Sequence, residues 1–277
     1  MDAYVCNDCP RLCGVDRAKT RGFCGCGANA SVAKVVAPFT FEEPCLGALS
    51  AVFFGGCPLR CSYCQNYEIS RAEFGKIYTD AELAELFDGA GETLDLVTPT
   101  HFLRAIESAV KKCKAPHRII YNTSGYELTE SVERAAEFTD VFLTDIKYAD
   151  GGLSQRFSGA PDYFLRASAA VKRMRETKDV WENGILKRGL IVRHLVLPGC
   201  AEDSLKVLDF VASELGTDTV LSLMSQFTPN GAGEPSARLK RIEYKLVAEH
   251  AIKLGFTNGY LQDFSSASSS YTPKFTG

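Results

Sequence analysis

The chain has 277 residues, of which 45% are hydrophobic and 23% are charged. This composition is typical of a globular protein, and no apolar run reaches the roughly 18 residues that a bilayer crossing requires. The net charge of −3 lacks the basic excess that favours binding to nucleic acid. Because the sequence opens without the profile of a secretory signal, we expect a cytoplasmic protein with neither membrane nor nucleic-acid partners.

Cysteine is the unusual component of this composition. The chain has 11 cysteines, and nine of them precede residue 65. In a reducing compartment, clustered thiols indicate metal binding rather than a disulfide framework. Eight of the nine form two groups, Cys6, Cys9, Cys13, Cys24 and Cys26, then Cys57, Cys61 and Cys64.

Short β-branched or apolar runs alternate with segments of helical period from about residue 49 onward, as in parallel βα units. The predicted strands are Leu49–Phe54, Leu94–Val97, Ile119–Tyr121, Val141–Thr144, Gly189–Leu195 and Val220–Met224. Six such units are too few for a closed eight-stranded barrel. We therefore predict an α/β fold, a partial (β/α)6 barrel or an open parallel sheet, with a small N-terminal Cys-rich metal module.

Three units of the chain follow from this pattern. Residues 1–44 are predicted to be the Cys-rich metal-binding module, residues 45–264 the barrel, and residues 265–277 a C-terminal tail that packs weakly.

Three helices are predicted from capping residues and apolar periodicity. Thr79 and Glu82 form a capping box before one helix, and Asp203 is predicted to cap another. The apolar stripe of a last helix is predicted to comprise Leu246, Val247, His250, Ala251 and Leu254.

The strongest motif directly follows the first predicted strand. Gly55-Gly56 leads into Cys57, Cys61 and Cys64, which have the spacing C-x3-C-x2-C. Three thiolates can hold three corners of a cubane iron–sulfur cluster and leave the fourth iron open for chemistry. The alternatives are a structural zinc site with a remote fourth ligand, or chance clustering. The triplet favours the cluster, because structural zinc usually takes two separated ligand pairs.

At these residues the sequence resembles the radical S-adenosylmethionine superfamily over roughly residues 45 to 264. It is most similar to the pyruvate formate-lyase activating enzymes, particularly a subgroup with an additional N-terminal Cys module. The resemblance implies a partial (β/α)6 barrel and a 4Fe-4S cluster that binds S-adenosylmethionine. An electron donor such as flavodoxin or ferredoxin is implied too. In this family one electron cleaves the cofactor to methionine and a 5′-deoxyadenosyl radical, which abstracts hydrogen from the substrate.

Polar residues at the carboxyl ends of the predicted strands are the next candidates, because loops converge there in barrels of this kind. The resemblance implies a set of cofactor-binding residues: Tyr63 near the adenine, Asn122, Thr123, Asp145, Lys147 as a carboxylate partner, and Arg193. Thr98, Thr100 or backbone carbonyls can supply acceptors for the amino group. Asp145 can also fix the Lys147 ammonium or bind a cation with Asn122 and Thr123. Tyr63 can instead simply pack, and Asp145 with Lys147 can be an ordinary salt bridge. Thr98 lies where relatives carry a Gly-Gly-Glu stretch, so this sequence departs from the family there.

The histidines near these strand ends are weaker candidates. His101 can serve the cofactor or the substrate, or can cap a helix. Arg193 interrupts an apolar run, so it is expected to meet an anionic ligand or a buried carboxylate. By strand alternation, His194 faces the other side and is predicted to be structural. Gln226 is a weaker candidate for substrate contact.

The N-terminal cysteines Cys6, Cys9, Cys13 and Cys24 have the spacing C-x2-C-x3-C-x10-C in a segment too short to fold without a staple. They are predicted to form a closed four-thiolate site that holds either zinc or a second 4Fe-4S cluster. The spacing of the cysteines does not distinguish between these two. Cys26 is spare and can replace Cys24.

Three functions are compatible with the sequence. The first is a radical enzyme that activates a glycyl radical enzyme, and the second is a radical enzyme that acts on a small molecule or peptide. The third is a zinc-stabilised binding protein without redox chemistry.

Overall fold

A single mixed sheet forms the centre of the fold. In the computed structural model, which describes residues 5–231, 233–266 and 275, this sheet has ten strands. They are β1 Ala30–Phe39, β2 Leu49–Phe54, β3 Lys76–Tyr78, β4 Thr93–Val97, β5 Arg118–Thr123, β6 Val141–Asp145, β7 Val180–Glu182, β8 Ile185–Leu195, β9 Val220–Met224 and β10 Gly259–Leu261.

Helices connect most of these strands. They are α1 Tyr67–Ser70, α2 Asp80–Ala90, α3 Leu103–Val110, α4 Thr129–Ala136, α5 Gly151–Ser158, α6 Tyr163–Arg175, α7 Ala201–Glu214 and α8 Arg241–Leu254. Short 3-10 turns occupy Pro44–Leu46, Thr100–Phe102 and Phe264–Ser266. Within the described ranges no helix is long and apolar enough to cross a membrane.

The strand order is β10-β9-β8-β6-β5-β4-β2-β1-β3, with β7 paired to β8. The six predicted strands are β2, β4, β5, β6, β8 and β9, and each pairs with its neighbour in parallel register. The prediction of an α/β fold with a partial parallel barrel is confirmed. β10 adds a further parallel strand beside β9, and β1 pairs antiparallel with both β2 and β3.

Alternation along the strands divides the core between the two faces of the sheet. In β2, Ala51 and Phe53 pack on the concave face with residues of β5, β6, β8 and β9. Val52 and Phe54 pack on the opposite face against α2 and α3. This period of two places every second side chain of a parallel strand inside the barrel, so polar residues at inward positions meet in one space.

The N-terminal segment is continuous with the sheet. β1 lies within the predicted module of residues 1–44, yet it is hydrogen-bonded to β2 of the barrel. The division of the chain at residue 44 therefore stays a prediction. Of the predicted C-terminal tail, all but Ser265, Ser266 and Phe275 lies outside the described residues.

One of the predicted helix caps is correct and one is wrong. Thr79 and Glu82 form a reciprocal capping box at the start of α2. Asp203 lies inside the first turn of α7, whose N-cap is Cys200, because the helix begins at Ala201. The Asp203 carboxylate instead accepts the backbone N–H groups of Ala149 and Asp150.

The apolar face of α8 also differs in part from the predicted stripe. Its buried residues are Tyr244, Val247 and Ala251, whereas Leu246 is exposed.

The capping box predicts a measurable contribution to stability. Thr79→Ala removes the oxygen that accepts the Glu82 N–H, so the free energy of unfolding should fall by about 1 kcal/mol in denaturant titration. Thr79→Ser retains the hydroxyl and is the matched control, expected to unfold close to the wild-type midpoint. Equal destabilisation by both variants would contradict the role of the cap.

Candidate active site

A cavity of about 510 Å³ lies at the carboxyl ends of the parallel strands. The sulfur-bearing residues Cys57, Cys61 and Cys64 line it together with all seven predicted cofactor residues, namely Tyr63, Thr98, Asn122, Thr123, Asp145, Lys147 and Arg193. The fold therefore brings the three predicted cysteines and the seven predicted cofactor residues to one place. Their individual roles as ligands stay predictions.

Two glycines carry the chain from β2 into the cysteine loop. A Cβ atom at Gly55 would lie 2.6 Å from the Phe74 carbonyl oxygen. A Cβ atom at Gly56, whose φ is +75°, would lie 2.3 Å from the sulfur of Cys26. Only glycine fits such close approaches and such a backbone conformation. The Gly-Gly pair thus lets the N-terminal cysteine segment pack directly against the start of the loop.

Side chains from distant parts of the chain hold the backbone of the cysteine loop. Arg71 donates to the carbonyl oxygens of Arg60 at 2.8 Å and Cys61 at 2.6 Å. Arg11 donates to the Pro58 carbonyl at 2.8 Å, and Asn230 donates to the Ser62 carbonyl at 2.9 Å. These side chains satisfy carbonyl groups of the loop, so its backbone is held by the protein itself.

The thiols of this loop lie in a dry environment. Burial, together with the neighbouring thiols Cys64 and Cys61, raises the pKa of Cys57 to about 12. The Cys61 sulfur accepts a hydrogen bond of 3.1 Å from the Ser158 hydroxyl. Buried thiolates need a compensating positive charge, which bound iron supplies. The donor set therefore fits an iron–sulfur cluster.

Tyr63 forms part of an aromatic wall beside the cysteines. Its ring packs edge-on against Tyr148, Phe157 and Phe227, with centroid distances of 6.0 to 6.3 Å. The Tyr148 hydroxyl donates to the Tyr63 hydroxyl at 2.7 Å. The ring is therefore held rigidly at the edge of the cavity.

The ends of β4 and β5 are joined by backbone and side-chain contacts. Thr98 has φ of +63°, an uncommon conformation for a residue other than glycine, and its N–H donates to the Asn122 carbonyl at 2.9 Å. The Thr123 hydroxyl donates to the buried Glu127 carboxylate at 2.5 Å. Thr98 thus holds a strained turn at the position of the Gly-Gly-Glu stretch of relatives.

Asp145 and Lys147 form an ion pair at the end of β6, with 2.5 Å between the carboxylate and the ammonium nitrogen. Burial lowers the pKa of Lys147, but Asp145, Cys61 and Tyr163 together raise it above its ordinary value. The lysine is therefore a fixed cation that faces the cavity.

Arg193 of β8 is bound by two carboxylates that the sequence analysis did not select. Its Nε and an Nη atom each donate to Glu43 at 2.7 Å, and Glu42 contacts the same guanidinium. Both glutamates belong to the segment between β1 and β2 and line the cavity. Of the two expectations for Arg193, an anionic ligand or a buried carboxylate, the structure gives the carboxylate.

Asp95 of β4 lies in the same layer and is fully buried. Asn122 donates to its Oδ2 atom at 3.2 Å, whereas Oδ1 has no hydrogen-bond partner among the described residues. Burial raises the pKa of Asp95 to about 8, and the nearby Glu43 adds to the increase. A charged residue inside an apolar run is the signal that could have identified Asp95. The same signal identified Arg193.

The histidine candidates lie outside the cavity. His101 is buried behind the loop, and its Nε2 donates to the Gly55 carbonyl at 2.8 Å. Burial lowers its pKa to about 3, so it is a neutral support for the glycine pair rather than a group in contact with the cavity. His194 contacts the Ile146 carbonyl and the Ser204 hydroxyl on the other side of β8, as strand alternation predicts.

The N-terminal cysteines lie directly behind the cysteine loop. Cys6, Cys9 and Cys24 are buried, and Cys13 is partly buried. Among the described cysteines, no three sulfur atoms lie within 4.8 Å of one another. The metal that this group of cysteines would hold, zinc or a second 4Fe-4S cluster, stays a prediction.

Cys26 is distinct from the other N-terminal cysteines. Its thiol lies 3.3 Å from the Gly55 carbonyl oxygen, to which it donates. The neighbouring Cys26 side chain and the Arg17 charge contribute to lowering the pKa of Cys24 to about 6, against the effect of burial. Cys24 therefore has more thiolate character than an ordinary buried thiol, which is compatible with its predicted role as a ligand.

The chain is similar to known proteins in the region of this site. Residues 46–155 match the family described as a 4Fe-4S single cluster domain. Pyruvate formate-lyase-activating enzyme of Clostridium pasteurianum is 36% identical over 118 residues, 38% of this chain and 48% of that protein. The 7-carboxy-7-deazaguanine synthase of Methanothermobacter thermautotrophicus is 31% identical over 109 residues, 36% of this chain and 41% of that protein.

A longer match is to an uncharacterized protein of Methanocaldococcus jannaschii, 27% identical over 242 residues, 81% of this chain and 66% of that protein. The chain thus spans between 41% and 66% of the length of these relatives. Among solved structures, Streptococcus suis SuiB bound to its precursor peptide SuiA has a TM-score of 0.48 at 14% identity, over 71% of this chain and 43% of that chain.

The parallel sheet, the cysteine loop and the sequence matches agree with the predicted resemblance to the radical S-adenosylmethionine superfamily, and residues 46–155 are similar to a 4Fe-4S single cluster domain. The chain is a distant homologue of pyruvate formate-lyase-activating enzyme, with additional buried cysteines near its N-terminus. The match over residues 46–155 indicates a 4Fe-4S cluster in this part of the chain.

Substitution of Gly56 tests the close packing behind the loop. Gly56→Ala places a methyl group against the Cys26 sulfur at positive φ, so we expect a loss of at least about 2 kcal/mol in stability and lower iron content after anaerobic purification. Gly89→Ala is the matched control, because nothing lies within 4 Å of its added methyl group. Wild-type iron content and stability in Gly56→Ala would contradict the packing constraint.

The buried carboxyl of Asp95 predicts a pH-dependent stability difference. Because its pKa is raised to about 8 in the folded protein, folding favours the protonated form, and this contribution is lost as the pH rises through 8. Asp95→Asn cannot ionise, so its free energy of unfolding relative to wild type should increase between pH 6 and pH 8, by at most about 1.4 kcal/mol per pH unit in denaturant titration. A difference independent of pH would contradict the raised pKa.

Proposed function

We propose that Cys57, Cys61 and Cys64 hold the 4Fe-4S cluster and that the polar strand ends around them bind S-adenosylmethionine. The observation that carries this proposal is that three thiols, one buried and two partly buried, line a cavity that Asp145 and Lys147 also line. When bound, the cluster and cofactor supply reductive cleavage of the sulfonium and a hydrogen-abstracting radical. The protein groups bind, orient and exclude water.

The charged and polar side chains of the cavity support a separate role for each in binding the cofactor. Lys147 offers a fixed cation to the carboxylate of the cofactor, and Asp145 keeps that ammonium in place. Thr98 and Asn122 offer polar atoms to the amino group in place of the Gly-Gly-Glu stretch. Tyr63 offers a rigid aromatic surface for the adenine. Arg193 is held by Glu42 and Glu43, so it acts on a ligand only through that network.

For the substrate, we propose a glycyl radical protein. The match of 36% identity to pyruvate formate-lyase-activating enzyme supports this choice. The topology supports it too, because β3 and β10 are the two edges of the described sheet and do not pair with each other. An open sheet leaves a lateral entrance to the cavity that suits a loop of a macromolecule. A flavodoxin or ferredoxin is the reductant that we infer for the cluster.

A small molecule or peptide is the second candidate substrate. The layer formed by Arg193, Glu42, Glu43, Asp95 and Asn122 gives the cavity a charged floor, which suits a polar compound better than the backbone of a glycine loop. The similarity to 7-carboxy-7-deazaguanine synthase also favours this class.

We further propose that Cys6, Cys9, Cys13 and Cys24 hold a second 4Fe-4S cluster. We favour iron–sulfur over zinc because the match to a 4Fe-4S single cluster domain implies that this chain is loaded with a cluster in any case. The segment packs on the back of the cysteine loop through Cys26 and Gly55, and Arg11 between the cysteines binds Pro58. This position suits a site that supports the loop or relays electrons to it.

The triple variant Cys57→Ala, Cys61→Ala, Cys64→Ala tests the cluster assignment. We expect it to lose one four-iron cluster and all formation of 5′-deoxyadenosine under anaerobic reduction, because the open iron needs the three thiolates. Cys200→Ala is the control for removal of a thiol outside either motif. Formation of 5′-deoxyadenosine by the triple variant, detected by chromatography, would disprove the ligand assignment.

The same triple variant tests the N-terminal site. Prepared anaerobically, it should retain iron bound by Cys6, Cys9, Cys13 and Cys24, measured by elemental analysis. Retention of zinc instead would overturn the second cluster in favour of a zinc staple. Retention of neither metal would contradict a separate metal site.

The substrate proposal is tested with the reduced wild-type enzyme and S-adenosylmethionine. Candidate glycyl radical proteins from the source organism are incubated with it anaerobically and examined by electron paramagnetic resonance. A glycyl doublet that requires the active enzyme and is absent with the triple variant is the expected result. If no such protein gives a doublet, while a metabolite or peptide is turned over, the second candidate replaces the first.

A further inference from the structure

Three metal-ligating side chains meet far from the cavity, at the amino ends of the parallel strands. Asp88 lies near the end of α2, and Cys113 and His117 lie in the loop that leads from α3 into β5. The ligand atoms of these three residues all lie within 4.8 Å of one another, and all three are partly buried. Because the cavity opens at the carboxyl ends, this cluster is separate from the site described above.

The two ring nitrogens of His117 both face hydrogen-bond acceptors. Nδ1 lies 2.8 Å from the Gly91 carbonyl oxygen, and Nε2 lies 3.2 Å from Oδ1 of Asp88. A neutral imidazole has a single N–H group, so it satisfies only one of these contacts. The second contact requires additional positive charge, either a second proton or a metal ion. An Nδ1–H bond to a backbone carbonyl is also what presents Nε2 to a metal.

The Asp88 carboxylate and the Cys113 thiol lie close to the His117 ring. The Lys114 N–H lies 3.1 Å from each carboxylate oxygen of Asp88, which anchors the carboxylate and leaves lone pairs on both oxygens. The Cys113 thiol lies 3.4 Å from the Ala109 carbonyl oxygen, one helical turn earlier. Burial and the Asp88 charge raise the pKa of this thiol. A catalytic Cys-His-Asp triad does not fit. Nδ1 of His117 contacts the Gly91 carbonyl and Nε2 contacts Asp88, so neither nitrogen is left for the Cys113 thiol.

We propose that Asp88, Cys113 and His117 bind a divalent transition-metal ion of the zinc type. One thiolate, one imidazole and one carboxylate are the mixed donor set that zinc accepts, with water in the fourth position. The thiolate and carboxylate charges balance the ion, and the ion satisfies Nε2 of His117. The metal links the end of α2 to the chain that enters β5 and takes no part in the radical chemistry.

The test uses anaerobically purified holoenzyme that is loaded with zinc and then freed of loosely bound metal. Elemental analysis compares wild type with Cys113→Ser and His117→Gln, and Cys200→Ser is the matched cysteine control. We expect wild type and Cys200→Ser to hold one zinc equivalent more than the other two variants, with equal iron in all four. The comparison is between variants, so zinc bound elsewhere does not affect it.

Equal zinc in all four proteins would overturn the proposal, as would an equal loss in Cys200→Ser. Circular dichroism establishes whether each variant folds. If His117→Gln does not fold, Asp88→Asn is measured instead, because it keeps an oxygen that accepts the Lys114 N–H. Competition with a chelator should then give a zinc dissociation constant at least about tenfold higher than that of wild type. An unchanged constant would contradict the site.

Discussion

The close packing of the N-terminal cysteine segment against Gly55 and Gly56 is the contact on which the site depends. It requires glycine at position 56, because an added Cβ atom there would overlap the Cys26 sulfur and the Cys24 carbonyl oxygen. A Cβ atom at Gly55 would overlap the backbone of Phe74. His101 supports the same junction by donating a hydrogen bond to the Gly55 carbonyl oxygen. Because the cysteine loop begins at this junction, its direction into the cavity is set by contacts that lie outside the cavity.

The cavity has rigid walls, and its charged side chains form ion pairs with one another. Lys147 and Arg193 are both cations at strand ends, yet their environments differ. Lys147 has one carboxylate partner and faces the cavity, whereas Arg193 is shared by Glu42 and Glu43. A ligand carboxylate therefore competes for Lys147 more readily than for Arg193. Such preorganised charge lowers the cost of reorganisation when a zwitterionic cofactor binds.

Local sequence patterns were sufficient to predict the six central strands, and with the family resemblance they selected ten of the residues that line the cavity. Each strand is a short apolar run, and the carboxyl ends of parallel strands converge, so Asp145 and Lys147 were placed near the cysteines without knowledge of any contact. Glu42 and Glu43 were not predicted, because their segment reaches Arg193 only through long-range packing of the turn Pro44–Leu46 near β8. Asp203 was misassigned as a cap, because its partners, Ala149 and Asp150, are distant in sequence.

The central claim is that S-adenosylmethionine binds the open iron of a cluster held by Cys57, Cys61 and Cys64. Electron–nuclear double resonance tests it most directly, on the reduced protein mixed with cofactor that carries ¹⁵N in its amino group. The account predicts a nitrogen hyperfine coupling to the reduced cluster in wild type and in Cys200→Ala, and none in the triple variant. Cluster signals without any ¹⁵N coupling in wild type would contradict it.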